Sequence, residues 1–174
     1  MEGEVTVETS VQAEWKRAIA ERFKDSEDFV YKQLKRGGER AEILFVRTAA
    51  DWQSVYEKLV LPFYDRNIAE HYEDYAASLP NRVQPKHLGD AMEKLADGHV
   101  MLDTGREIHM FLFRNQPQQD IREATVETVI QGPLLAFSAE TDKNITLLRQ
   151  RYYQPSLAVD LTTVGTRSKT HIAL

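Results

Sequence analysis

The spacing of apolar positions changes several times along the 174-residue chain, and each change marks an element. Val11, Trp15, Ala18, Ile19 and Phe23 fall on one face of a helix. Positions 29–34 and 41–47 read as strands joined across Gly37-Gly38, a pair that supplies the positive φ a tight hairpin needs. Ile43 to Val46 is apolar on both faces, which predicts a strand covered on both sides. Thr48 with Asp51 resembles a capping box for a helix carrying Trp52, Val55, Tyr56 and Leu59, and Pro62 should end or bend it. A further helix over 68–79 turns Ile68, Tyr72, Tyr75 and Leu79 inward.

Pro80 and Pro85 interrupt this periodicity and predict an internal boundary. Beyond it, Leu88, Ala91, Met92 and Leu95 form a helical stripe that Gly98 can terminate as a left-handed residue. Strands are expected over 99–102, 107–114 and 124–130. A helix with Ile145, Leu148 and Tyr152 on one face precedes Pro155, and 157–164 and 170–174 are strand-like. The fold expected is α/β (α+β), with two small subdomains, 1–82 and 83–174, each a short mixed sheet covered by helices. Because the chain stops inside an apparent strand, it is expected to be a domain cut from something longer.

Composition narrows the function classes. A hydrophobic content of 42% suffices for a core, and 22 basic against 27 acidic residues leaves a charge of -5, so no electrostatic footprint for nucleic acid is visible. The absence of cysteine removes disulfides, thiolate metal sites and a cysteine nucleophile. No apolar run approaches the roughly 18–20 residues of a membrane span, and the acidic N-terminus lacks the apolar region of a secretory signal.

The sharpest chemical signal is Asp103-Thr104-Gly105 behind an apolar run, the form of an aspartic-protease carboxylate. That chemistry needs two carboxylates sharing a proton, so a lone copy implies a symmetric dimer. Arg106 and Glu107 follow where a small residue is wanted, and a hairpin turn is the plainer reading. His71, His87, His99, His109 and His171 form no H-x-x-x-H pair, so each reads as a surface or partly buried side chain and no metal site is expected. No phosphate-binding glycine loop or nucleophile elbow occurs. Phe63, Tyr64, Tyr72 and Tyr75 suit a core better than a ligand groove.

The C-terminal third carries the most specific pattern. Glu127, Ile130, Gly132-Pro133 and Phe137 precede Asn144-Ile145-x-Leu147-Leu148-Arg149-x-Arg151, then Val164-Gly165-x-Arg167-Ser168-Lys169-Thr170. This ordered set resembles the soluble N-terminal domain of the A subunit of GerA-type spore germination receptors. Upstream, the stretch from Phe23 to Val30 and Leu61-Pro62 are similar to the same family more loosely. The resemblance implies a non-enzymatic domain without cofactor, acting in assembly and nutrient signalling. It also implies B and C subunits and other A subunits as partners, and a spore inner membrane location with this domain on the cytoplasmic side. Membrane spans would follow Leu174.

Gly132-Pro133 reads as the end of a strand. Leu134 and Leu135 stand where the family has a basic and an acidic residue, and if exposed they mark an apolar partner surface. Arg149 and Arg151 lie two apart and point to different sides of their helix. One is expected to pair with a carboxylate between subdomains and the other to face solvent or a neighbouring subunit. Lys169 is expected near the membrane face, although a solvated side chain is the plainer expectation for all three cations. An intersubdomain cleft that binds a small molecule is the competing expectation, and a dimeric aspartic protease the third.

Overall fold

In the structure, a computed structural model, residues 2–115, 140–164 and 170–174 are described. The expected strand at 124–130, the loop Gly132-Pro133-Leu134-Leu135 and Lys169 lie outside the described residues.

The fold is α+β. Helix α1 (Glu2–Arg22) runs further upstream than the apolar stripe indicates and delivers Ile19, then Phe23 just past its end, to the core. Strands β1 (Phe29–Arg36) and β2 (Glu39–Val46) form the expected hairpin, although only Gly37 takes a positive φ, 57°. The strands β3 (Arg82–Val83), β4 (His99–Asp103) and β5 (Ile108–Leu112) complete a five-stranded sheet of order β1-β2-β4-β5-β3. Every pairing in it is antiparallel, so the expected mixed sheets are corrected.

The boundary expected after Arg82 runs through this sheet, because β2 pairs with β4 across it and β3 straddles it. Pro80 and Pro85 mark a short edge strand, where a missing N–H leaves no gap in a ladder. The sequence records the punctuation and not the pairing.

Both faces of the sheet are covered. In β2, Ala41, Ile43 and Phe45 face one way and Leu44 and Val46 the other, the two-residue alternation of a strand buried twice. The first face packs on helices α2 (Trp52–Val55), α3 (Leu61–Tyr64) and α5 (Tyr72–Ser78) and the turn of helix before α3, through Val55, Leu59, Phe63, Tyr72 and Ala76, with α4 (Arg66–Ala69) linking α3 to α5. The second packs on α1 and on α6 (Leu88–Ala96) through Ala91, Leu95 and Ala96.

The helix expected before Pro62 is not ended by it. Residues Tyr56–Val60 widen to a π turn, with Leu61 N–H donating to the Tyr56 carbonyl, and the rod continues into α3. Proline cannot donate to the carbonyl four residues back. That carbonyl, of Lys58, accepts the Tyr75 hydroxyl at 2.9 Å. The cap also differs from expectation: Asp51, not Thr48, accepts from the N–H groups of Gln53 and Ser54. The helix expected over 68–79 is split into α4, capped by Asp65, and α5.

The last elements form a smaller layer: helix α7 (Thr141–Arg151) and an antiparallel pair, β6 (Leu161–Val164) with β7 (Thr170–Ala173). Glu27 N–H donates to the Val159 carbonyl at 2.8 Å, seating this layer beside the start of β1.

Candidate functional site

Helix α7 is the element whose sequence pattern misleads. Its apolar spacing points Ile145, Leu148 and Tyr152 inward, yet Leu148 and Tyr152 are 45% and 52% exposed. The buried face is Ile145, Thr146 and Arg149, and Arg149 is only 1% exposed. A guanidinium is buried at such a site only when its charge and donors are answered.

Asp28 answers them. It lies fully buried just before β1, 121 positions from Arg149 in sequence. Arg149 Nε donates to Asp28 Oδ2 and Nη2 to Oδ1, both at 2.8 Å, a bidentate fork. Ser26 Oγ donates to Asp28 Oδ1 at 2.6 Å, and the Thr48 hydroxyl donates to Oδ2. Arg149 Nη2 also reaches Ser26 Oγ at 3.1 Å and the Leu157 carbonyl at 3.2 Å. Thr146 Oγ1 donates to the Thr48 carbonyl at 2.9 Å, so one helix face is joined to two turns of the main layer. Burial pushes the Asp28 carboxyl up, but the hydrogen bonds and charge of Arg149, with Ser26 and Thr48, outweigh it and hold the pKa below the usual carboxylate value.

Arg149 therefore pairs with a carboxylate, and its solvated reading is corrected. Arg151 is exposed on the other side of α7, and Asn144 is half-buried in its first half. Asp28 and Ser26 carried no assigned role in the sequence. Thr48 looked like a helix cap because its hydroxyl partner, Asp28, is 20 residues upstream. The available signal was an aspartate in the family-like stretch from Phe23 to Val30.

One Arg149 donor remains unanswered. Nη1 is buried with no hydrogen-bond partner among the described residues. A cavity of roughly 270 Å³ lies between α7 and the turn from α6 into β4, lined by Ala49, Ala96, Asp97, Arg114, Thr146, Arg149 and Gln150. Arg114 is ion-paired to Asp97 there.

Asp103 sits elsewhere, in the β4–β5 turn. Its Oδ1 accepts the Gly105 N–H at 2.7 Å, and its Oδ2 meets Lys16 Nζ at 2.6 Å. Glu42, opposite it in the ladder, meets the same ammonium at 2.6 Å. Burial lowers the Lys16 pKa and raises that of Glu42. The hydrogen bonds between them, with Asp103, outweigh both effects, leaving Lys16 raised and Glu42 lowered. The ammonium stands between the Asp103 and Glu42 carboxylates, where an aspartic protease has two carboxylates facing each other.

Comparison with known proteins agrees with this architecture. The family model described as Bacillus/Clostridium GerA spore germination protein matches residues 17–174. Spore germination protein GerQA of Bacillus cereus is 24% identical over 157 residues, which are 87% of this chain and 31% of that protein, so the chain spans about a third of that relative. The crystal structure of the N-terminal domain of the A subunit of the Bacillus megaterium spore germinant receptor GerK3 superposes with a TM-score of 0.62 at 19% identity, covering 90% of this chain and 60% of that one. The chain belongs to the GerA family of spore germination proteins, and its fold is that of the N-terminal domain of a germinant-receptor A subunit.

Proposed function

We propose that the domain is a non-enzymatic scaffold of a germinant receptor in the spore inner membrane. It holds B and C subunits and other A subunits in a geometry that nutrient binding biases, from the cytoplasmic side. The observation that carries this reading is the Arg149–Asp28 fork: Arg149 Nε and Nη2 and both Asp28 oxygens are spent on fixing α7 against the main layer. A rigid body of this kind transmits a signal through contacts that differ between two receptor states. Among the described residues no helix is long and apolar enough to cross a membrane.

The family-divergent Leu134-Leu135 is the proposed subunit contact. Spores carrying full-length receptor with Leu134→Asp and Leu135→Asp are expected to lose co-purification of the B and C subunits and to respond more slowly to nutrient, while the isolated domain melts at an unchanged temperature. Intact assembly together with normal germination would count against the scaffold.

The cavity that Arg149 and Arg114 help to line favours a second reading, an anionic small molecule held between the layers. A thermal-shift screen of amino acids, sugars and inorganic anions checks it. A true ligand at about a hundred times its Kd adds about 2.7 kcal/mol to stability, and a flat screen removes this reading while leaving the scaffold untouched.

A further inference from the structure

Glu73, Glu107 and His109 are not grouped by the sequence, but the fold brings them together. Glu107 and His109 are two apart on the entry to β5 and share the face that packs under α5, where Glu73 sits in the first turn. One ligand-type atom from each lies within 4.8 Å of the others. His109 is completely buried, which corrects its reading as a surface or partly buried residue, and its Nε2 lies 2.7 Å from Glu73 Oε1 and 3.9 Å from Glu107 Oε2. Arg82 takes the other Glu107 oxygen at 2.9 Å.

A simple histidine–glutamate pair leaves one thing unexplained: Glu73 Oε2 is buried with no hydrogen-bond partner among the described residues. A carboxylate oxygen enclosed without a donor is costly, and a cation that Glu73 takes through Oε2, beside His109 and Glu107, would satisfy it. We infer that Glu73, Glu107 and His109 form a site for a divalent cation of the zinc class, bound through the imidazole Nε2 and one oxygen of each carboxylate. The donor set selects the ion class: an imidazole disfavours calcium and magnesium, and the lack of thiolate suits a mixed nitrogen and oxygen shell. Ligand bonds of about 2.0–2.2 Å set ligand atoms roughly 3.3 Å apart. The Glu73 carboxylate therefore has to step back from its 2.7 Å contact with Nε2 while Glu107 Oε2 draws in from 3.9 Å, which a turn of the half-exposed Glu107 side chain supplies.

Three protein ligands leave a fourth position for water. A cavity of roughly 350 Å³ lined by Glu39, Arg40, Glu70, Glu73 and Arg106 gives a route from solvent to the Glu73 side of the cluster. The ring is oriented by stacking on Phe111, with centroids 6.1 Å apart, since Nδ1 has no hydrogen-bond partner among the described residues.

Tag-free, chelator-stripped protein titrated with zinc chloride by calorimetry tests the site. One ion per chain is expected, with micromolar affinity, a raised melting temperature, and on Co²⁺ addition the visible absorption of a four-coordinate ion. Glu73→Gln and Glu107→Gln should each weaken uptake by about tenfold or more with unchanged circular dichroism, whereas His71→Gln and His87→Gln should leave it intact. No saturable uptake at millimolar zinc, or uptake indifferent to both glutamate changes, overturns the site.

Discussion

Replacing Arg149 with methionine is expected to lower the unfolding free energy by about 3–5 kcal/mol, because it strands the buried Asp28 carboxylate without its counter-charge. Urea unfolding at neutral pH gives the measurement. A loss of under about 1 kcal/mol, the range of an exposed pair, would show that the fork is not closed in solution. Arg149→Lys should fall between, since an ammonium keeps the charge and loses the second arm of the fork. The double variant Asp28→Asn with Arg149→Met should lose less than the sum of its single changes, because removing both charges leaves none buried alone.

The pH dependence gives this prediction a sign. Native Asp28 holds its proton less tightly than the unfolded chain does. Its contribution is therefore complete above the unfolded carboxyl value, roughly pH 4, and is lost as pH falls through the lower folded value. In Arg149→Met, burial acts on Asp28 without the guanidinium and the folded pKa rises above the unfolded one. The slope then reverses: acidifying the variant from neutral toward roughly pH 4 should stabilise it while the parent stays level in that window. Parallel curves for the two proteins would exclude Asp28 as the group that Arg149 neutralises.

Gly98→Ala is expected to cost about 3 kcal/mol or more, from strain at positive φ added to overpacking. The residue has φ 93° at the end of α6, and a Cβ there would stand 2.7 Å from the Ala49 carbonyl oxygen and 3.0 Å from Arg114 Cα. Neither neighbour can yield, since the Ala49 carbonyl also accepts the Asn115 N–H at 2.7 Å and Ala50 bridges to Arg114. Gly37→Ala supplies the control. Its φ is 57° and a methyl there would meet nothing within 4 Å, so only the conformational cost of about 1–2 kcal/mol applies. Equal losses at the two glycines would mean that the close approach of these three segments is not maintained. Because Ala49, Asp97 and Arg114 line the cavity beside α7, the same substitution should also alter any ligand response there.

What the sequence determined by itself was local. Gly37-Gly38 between two strand-like runs located the hairpin, the helical stripe ending at Gly98 located α6 and its cap, and the ordered residues from Glu127 to Thr170 pointed to the family. Each of these rests on interactions within a few turns of chain, which spacing records. Tertiary structure decided the rest. Pro80 and Pro85 looked like a domain boundary because proline marks where a ladder stops, but only the pairing of β2 with β4 shows that one sheet continues past them. The buried side of α7 escaped the pattern because its central residue is a cation, and periodicity assigns cations to solvent. Arg149 lies inside because Asp28 neutralises it from 121 residues away, and Glu73 meets His109 across 36. The burial of a charged group is set by partners brought close in space, a relation that the order of residues along the chain does not encode.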